Sequence, residues 1–296
     1  MIAELWLGTL RDVAVNAVPT IIVACGLTLV VVTREIDISV GSAMGVLATV
    51  LGLLVSPARF GMSLWVGIAA VLVLGAVIGL VNGALVVWGK VPSIIVTLGT
   101  LTALQGVNAL LLHGEQITQL PSALRYLGVG RIAGIPVSLY LTAIVVIGTM
   151  LLATRTALGR RLYAVGSQPD AARLAGLSEV RLKLFVFAFT GVLVGVATLA
   201  SVSQIAVIEP NLGRGFELVV VTAVLVGGTS IHGGRGSVVG AAIAAIVLEG
   251  VRTTLILLRL GESATYWERA IQGAFILIAV LIDLLVRSRR ATVRRA

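Results

Sequence analysis

Glu249 and Arg252 stand three residues apart inside an otherwise apolar run, and residue types of that kind in such a place suggest chemistry. On a helix they share a face and pair, which offsets part of an insertion cost of about 2.5 to 3.5 kcal/mol per charge at a bilayer centre. Structural pairing is the simpler reading. A substrate or proton role is the sharper one, because ionisable groups within membrane spans mark pathways. Asn82, Gln105 and Asn108 are uncharged amides in apolar runs, the last two on one helical face. They suit interhelical hydrogen bonds or a pore that accepts hydroxyls. Arg214 and Glu217, also three apart, read as a solvated rim pair, and Asp37 and Ser39 sit in a charged break between two apolar runs.

Other chemistries lack their residues. Gly89-Lys90 is followed by Val91, and Gly83 is one residue too far upstream for a phosphate-cradling loop, so this chain is not expected to hydrolyse ATP. The cluster Gly227, Gly228, Gly233, Gly234, Gly236 lacks dinucleotide spacing and reads as a tight turn. His113 and His232 are far apart, without a metal-ligand pattern or an acid-base partner, and read as loop histidines. Cys25 is the only cysteine, which excludes an intrachain disulfide framework. No signal-peptide flank or cleavage site opens the chain.

The elements that must position these residues are membrane spans. Of 296 residues, 58% are hydrophobic and 12% charged, with a mean hydropathy of +1.09, far from the balance of a soluble globule. The net charge of +9 raises nucleic acid as a partner, but the cations lie in short loops and in the tail Arg287, Arg289, Arg290, Arg294, Arg295, where membrane topology explains them. Apolar runs long enough, or nearly so, to cross a core of about 30 Å occur at 13–33, 40–56, 64–88, 92–113, 136–154, 184–205, 216–230, 237–258 and 268–286. The expectation is an all-α polytopic membrane protein of about nine spans, one domain over 1–296, preceded by an interfacial amphipathic stretch at 1–12. Gly75, Gly79 and Gly83, Gly41 and Gly45, Gly191 and Gly195, and Gly236 and Gly240 recur at fourth positions and predict close helix packing within the subunit.

The longest polar interruption, 155–183, carries Arg155, Arg160, Arg161, Arg173, Arg181 and Lys183 against Asp170 and Glu179. That excess marks a cytoplasmic loop. Threading outward from it places the Arg34 loop, the Gly89-Lys90 turn, the Gly233 to Arg235 loop and the C-terminus inside, and the N-terminus and the 114–135 loop outside. Within it, Ser167 as cap, Pro169 at the first turn and Gly176 as stop predict a short helix over 168–176, with Ala171, Leu174 and Ala175 on one face. So short a helix needs a partner surface. The candidates are the bilayer surface and a cytoplasmic subunit.

Four ordered blocks resemble the permeases of bacterial ABC-type sugar importers, the group containing the ribose, rhamnose and autoinducer-2 permeases. They are Ile36-Asp37-Ile38-Ser39-Val40-Gly41-Ser42; Gly79-Leu80-Val81-Asn82-Gly83 with Val91-Pro92-Ser93 through Thr100; Gly159-Arg160 through Gly176; and Gly227-Gly228-Thr229 through Ser237. The resemblance covers nearly the whole chain. It implies that Asp170, Ala171, Ala172, Arg173 and Gly176 couple to a cytoplasmic ATPase, which holds the ATP and magnesium, while this subunit carries no cofactor and no catalytic residue. It also implies a second permease copy, an external solute-binding protein, a small sugar as cargo and the bacterial inner membrane. Asp37, Ser39, Asn82, Gln105 and Asn108 are then expected along the substrate pathway. Relatives begin with one more hydrophobic helix, so a first helix is expected to be missing here. Arg34-Glu35 replaces two glycines common before the Ile-Asp motif, a variation of the rhamnose and autoinducer-2 branch. The rival readings are a branched-chain amino acid permease and an ion- or proton-coupled carrier. A membrane enzyme fits least, for want of a nucleophile and base.

Overall fold

The structure, a computed structural model, describes the backbone of residues 2–258 and 263–293 and the side chains of 8–258 and 263–285. In chain order the elements are α1 (Ile2–Asn16), α2 (Val18–Val32), α3 (Val40–Val55), α4 (Leu64–Gly89), α5 (Ser93–Leu112), α6 (Ser122–Val129), β1 (Arg131–Ile132), β2 (Ile135–Pro136), α7 (Val137–Arg155), α8 (Ala157–Ser167), α9 (Pro169–Leu174), α10 (Glu179–Val202), α11 (Phe216–Val226), α12 (Val238–Leu257) and α13 (Ser263–Val293). Every apolar run coincides with a helix. By length and composition, however, five helices among the described residues qualify as spans (α4, α5, α7, α10 and α12), or six when α1 and α2 count as one span bent by 42°; α3 and α11 are shorter apolar helices. Of the expected interfacial stretch at 1–12, residues 2–12 form the first part of α1, and residue 1 lies outside the described residues. The only strands among the described residues form a two-residue antiparallel hairpin, β1 with β2.

The bundle is built around α2. Its residues are apolar on every side, and such a helix is stable only when covered on every side. All of Val18 to Val32 is buried, with α10, α11, α12 and α7 around it. Thr28, in its middle, is tolerated because its hydroxyl donates to the Ala24 carbonyl at 2.7 Å.

The small-residue stripes work as expected. A Cβ on Gly75 would lie 2.3 Å from the Gly191 carbonyl oxygen, and one on Gly79 would lie 2.1 Å from that of Phe187. Helices α4 and α10 therefore touch backbone to backbone, antiparallel, which only glycine permits. Gly240 meets Gly227 in the same way where α12 crosses the end of α11, and Gly41 and Gly45 admit the 212–217 segment against α3.

The loops sort into two ends. At one, the Gly234 N–H donates to Val32 O at 2.8 Å and the Tyr163 hydroxyl to Gly236 O at 2.8 Å, bringing together the segment after α2, the helix α8 and the turn after α11. At the other, Ile117 and Ile208 exchange two backbone hydrogen bonds, Ser56 donates to Thr118 O at 2.9 Å, and Arg59 pairs with Glu115. The Arg59 guanidinium beside it holds the exposed Glu115 carboxyl below the usual carboxylate range. These are the groupings that the predicted threading requires.

Candidate functional site

The polar interruption from Arg155 is largely helical. Thr156 caps α8, its hydroxyl oxygen accepting from Gly159 N at 3.0 Å, and Gly159, Leu162, Val165 and Gly166 turn inward while Arg160 and Arg161 face out. The amphipathic period was present in the sequence at 157–167 but was hidden by the weight of its arginines. Because α8 runs through Ser167, that residue does not cap the next helix. The correction is that Gln168 stands at the N-cap of α9 with no side-chain bond, and Pro169 alone starts it.

The stop of α9 is as predicted. Gly176 takes φ +78°, its N–H donates to Arg173 O at 2.9 Å, and the Leu177 N–H donates to Ala172 O at 3.0 Å. Ala172 is buried and seats the helix on the bundle. Asp170, Ala171, Arg173 and Ala175 are exposed, and Leu174 is 91% exposed, so the apolar face expected to need a partner is left uncovered by this chain.

Behind α9 runs a chain of charges. Arg173 pairs with Glu179 at 3.5 Å, and Lys183 Nζ lies 2.6 Å from Glu179 and 2.5 Å from Glu35. Arg34, beside Glu35, donates to the Gly166 and Ser167 carbonyls at 2.7 and 2.9 Å, at the end of α8. Glu35 thus ties the segment after α2 to the start of α10, and Asp37, two residues further on, starts a second network. Asp37 Oδ1 accepts from Ser39 N at 2.9 Å and from the Ser39 hydroxyl at 2.6 Å. Asn82 donates to Ser39 Oγ at 2.8 Å, and Thr100 donates to Asn82 Oδ1 at 2.7 Å. Asp37, Ser39 and Asn82 are buried. The structure brings these three predicted residues together and adds Thr100, joining the 33–39 segment to α4 and α5.

Gln105 and Asn108 lie elsewhere, towards the opposite end. Asn108 accepts from Thr49 at 2.6 Å and donates to Pro210 O at 2.9 Å, and with Gln105, Ser42 and Arg214 it lines a cavity of about 240 Å³ between α3, α5 and the 210–214 segment. Among the described residues no direct ion pair joins Arg214 to Glu217, although the two charges still act on each other; Glu217 Oε2 is buried against Gly41 without a hydrogen-bond partner.

Arg252 lies 3.8 Å from Glu249, as expected, and also 3.8 Å from Glu268 of α13. His232 is not partnerless: its Nδ1 is 3.3 Å from Asp283 Oδ2, which also accepts from the Ser230 hydroxyl at 2.9 Å. Both side chains use the same carboxylate oxygen, so serine and histidine are not arranged as nucleophile and base. Among the described residues no group of three His, Cys, Asp or Glu side chains is placed to hold a metal ion.

The chain matches, over residues 9–280, the family described as "Branched-chain amino acid transport system / permease component". It belongs to that family. This permease is 38% identical over 274 residues to the autoinducer 2 import system permease protein LsrC of Shigella flexneri, covering 93% of its own length and 78% of the relative's. It is 37% identical, with the same coverage, to LsrC of Escherichia coli (strain K12 / DH10B). The ribose import permease protein RbsC of Escherichia coli (strain K12) is 34% identical over 278 residues, covering 93% of the permease and 84% of that relative. No solved structure matches it.

Sequence reasoning missed Thr100, Glu35, Lys183 and Glu268 in the permease. Thr100 looks like an ordinary residue inside a span, and Lys183 like one more cation of the 155–183 loop, until the helices are placed. Glu35 carried a signal, a carboxylate within the predicted charged break between the runs 13–33 and 40–56.

Proposed function

We propose that this chain is the membrane-spanning permease subunit of an ATP-driven importer for a monosaccharide or related small sugar, and that it moves its cargo by alternating access in the bacterial inner membrane. The observation that carries the reading is α9, a six-residue helix seated by Ala172 with Leu174 left 91% exposed. A helix that short, with an apolar residue bared on a polar loop, is what a partner subunit would cover. The relatives named as import permeases supply the class of partner: a cytoplasmic ATPase that binds ATP and magnesium, met by Asp170, Ala171, Ala172, Arg173 and Gly176. A second permease copy completes the pathway, and a solute-binding protein delivers the cargo at the opposite end.

The 155–183 loop is the cytoplasmic coupling loop, and the nine helical runs are the spans. Gln105 and Asn108 offer polar contacts to the pathway from the cavity they line. Asp37, Ser39 and Asn82 serve it by holding the non-helical junction from which α3 leaves. The chain performs no covalent step. A sugar is favoured over an amino acid because the named relatives import autoinducer 2 and ribose, and uptake competition between ribose and leucine separates the two.

The test is Leu174→Asp in the permease co-expressed with its ATPase and reconstituted. It should still insert, yet lose the stimulation of ATP hydrolysis by loaded binding protein. Gly176→Asp should do the same, by adding charge and by straining the left-handed stop. Normal stimulation in both would remove α9 from the coupling route.

A further inference from the structure

A cavity of about 730 Å³ opens between α1, the end of α10, the 204–216 segment, α11, α12 and α13, and no role has been assigned to it. It lies at the end of the bundle away from α9, since α12 begins beside the Gly227 turn and Glu249 and Arg252 fall late in it. Its size suits a small-molecule site, which spans roughly 300–1,000 Å³. Its wall carries three carboxylates (Asp12, Glu249 and Glu268) and three guanidinium groups (Arg214, Arg252 and Arg269). The charges cancel, so the chamber attracts neither cations nor anions.

The charges also alternate. Arg252 stands between Glu249 and Glu268, 3.8 Å from each, too far for a direct hydrogen bond. Glu268 is steadied by Gln272, whose amide donates to it at 3.1 Å. The Glu249 side chain is 11% exposed and that of Arg252 is 54% exposed, so the pair faces the chamber from a largely covered base. Such a wall has unspent acceptors and donors side by side. A hydroxyl both donates and accepts, and it fits between a carboxylate and a guanidinium where a lone cation or anion would meet the wrong partner. A zwitterion would also find a carboxylate for its ammonium pole and a guanidinium for its carboxylate pole here, so the choice of a polyol rests on the importer reading and the leucine arm below separates the two. Phe216 adds an apolar surface for the C–H face of a ring.

We propose that this cavity is a binding chamber for a neutral polyhydroxylated solute, with Glu249, Arg252 and Glu268 reading its hydroxyls. The proposal rests on the importer reading and names a place for the cargo within one subunit. In proteoliposomes holding the permease with its ATPase and binding protein, uptake of ribose or rhamnose by the unsubstituted complex tests the importer reading alone; refusal of both defeats that reading and leaves the cavity to the labelling experiment below. Where uptake occurs, Glu249→Gln and Glu268→Gln are each expected to lower sugar moved per ATP hydrolysed about tenfold, the loss of one charge-assisted hydrogen bond. An unchanged ratio in both variants overturns the chamber. Independently of transport and of the stability of those variants, Thr253→Cys in a Cys25→Ser background places one thiol in the cavity. An impermeant maleimide should label it, and ribose or rhamnose should slow the labelling, while leucine should not. A labelling rate indifferent to both sugars overturns the proposal even where uptake fails.

Discussion

Asp37 is buried and spends its carboxylate on Ser39, which in turn accepts from Asn82. Removing the carboxylate strands a backbone N–H and a hydroxyl in the interior, a loss of about 1–3 kcal/mol. Asp37→Ala should therefore lower the melting temperature of the purified permease, and Asp37→Asn, which keeps an acceptor, should recover most of the loss; transport should fall with Asp37→Ala as the junction loosens. Unchanged melting and transport would remove Asp37 from both roles. The residue types that mattered here were visible as polar atoms in apolar runs. What was not visible was their company: Asn82 and Asn108 look alike as amides, yet one joins Ser39 and Thr100 and the other joins Thr49 and Pro210. Hydrogen bonds between helices depend on how each helix is rotated, and a uniformly apolar helix carries no stripe that reports its rotation.

Between elements, the most extensive contact is that of α4 with α10. A Cβ on Gly79 would sit 2.1 Å from a backbone oxygen, whereas one on Gly99 of α5 has nothing within 4 Å. Gly79→Ala should cost about 1–3 kcal/mol as the helices are forced apart, and Gly99→Ala should leave the melting temperature unchanged. Equal melting of the two variants would mean that the helices do not meet there. The second element-scale tie is Lys183, which joins α10 to Glu35 in the segment after α2. Lys183→Met leaves Glu35 nearly buried without its cation, a change that costs several kcal/mol when a pair is broken from one side. Stimulated ATP hydrolysis should lose its dependence on loaded binding protein, because α9 and the 33–39 segment no longer move together. Restoration by the double variant Lys183→Met, Glu35→Gln would locate the effect in that pair.

For the whole molecule, the two ends are chemically distinct, and their assignment to the two sides of the membrane makes a direct prediction. In a Cys25→Ser background, Leu174→Cys should resist an impermeant maleimide in spheroplasts, and Glu115→Cys should react; the reverse pattern would invert the topology and displace α9 from any cytoplasmic partner. That the chain is a helical membrane protein with its cations gathered between spans was legible from the sequence, because hydrophobic length and local charge are sums over neighbouring residues. So were the glycine stripes and the Gly176 stop, which answer to local geometry. The fold alone decided that α2 lies at the centre, that Glu268 reaches Arg252 and that Asp283 meets His232. Each of these depends on how the helices are ordered and turned around α2, and residues far apart along the chain become neighbours only when that arrangement is set.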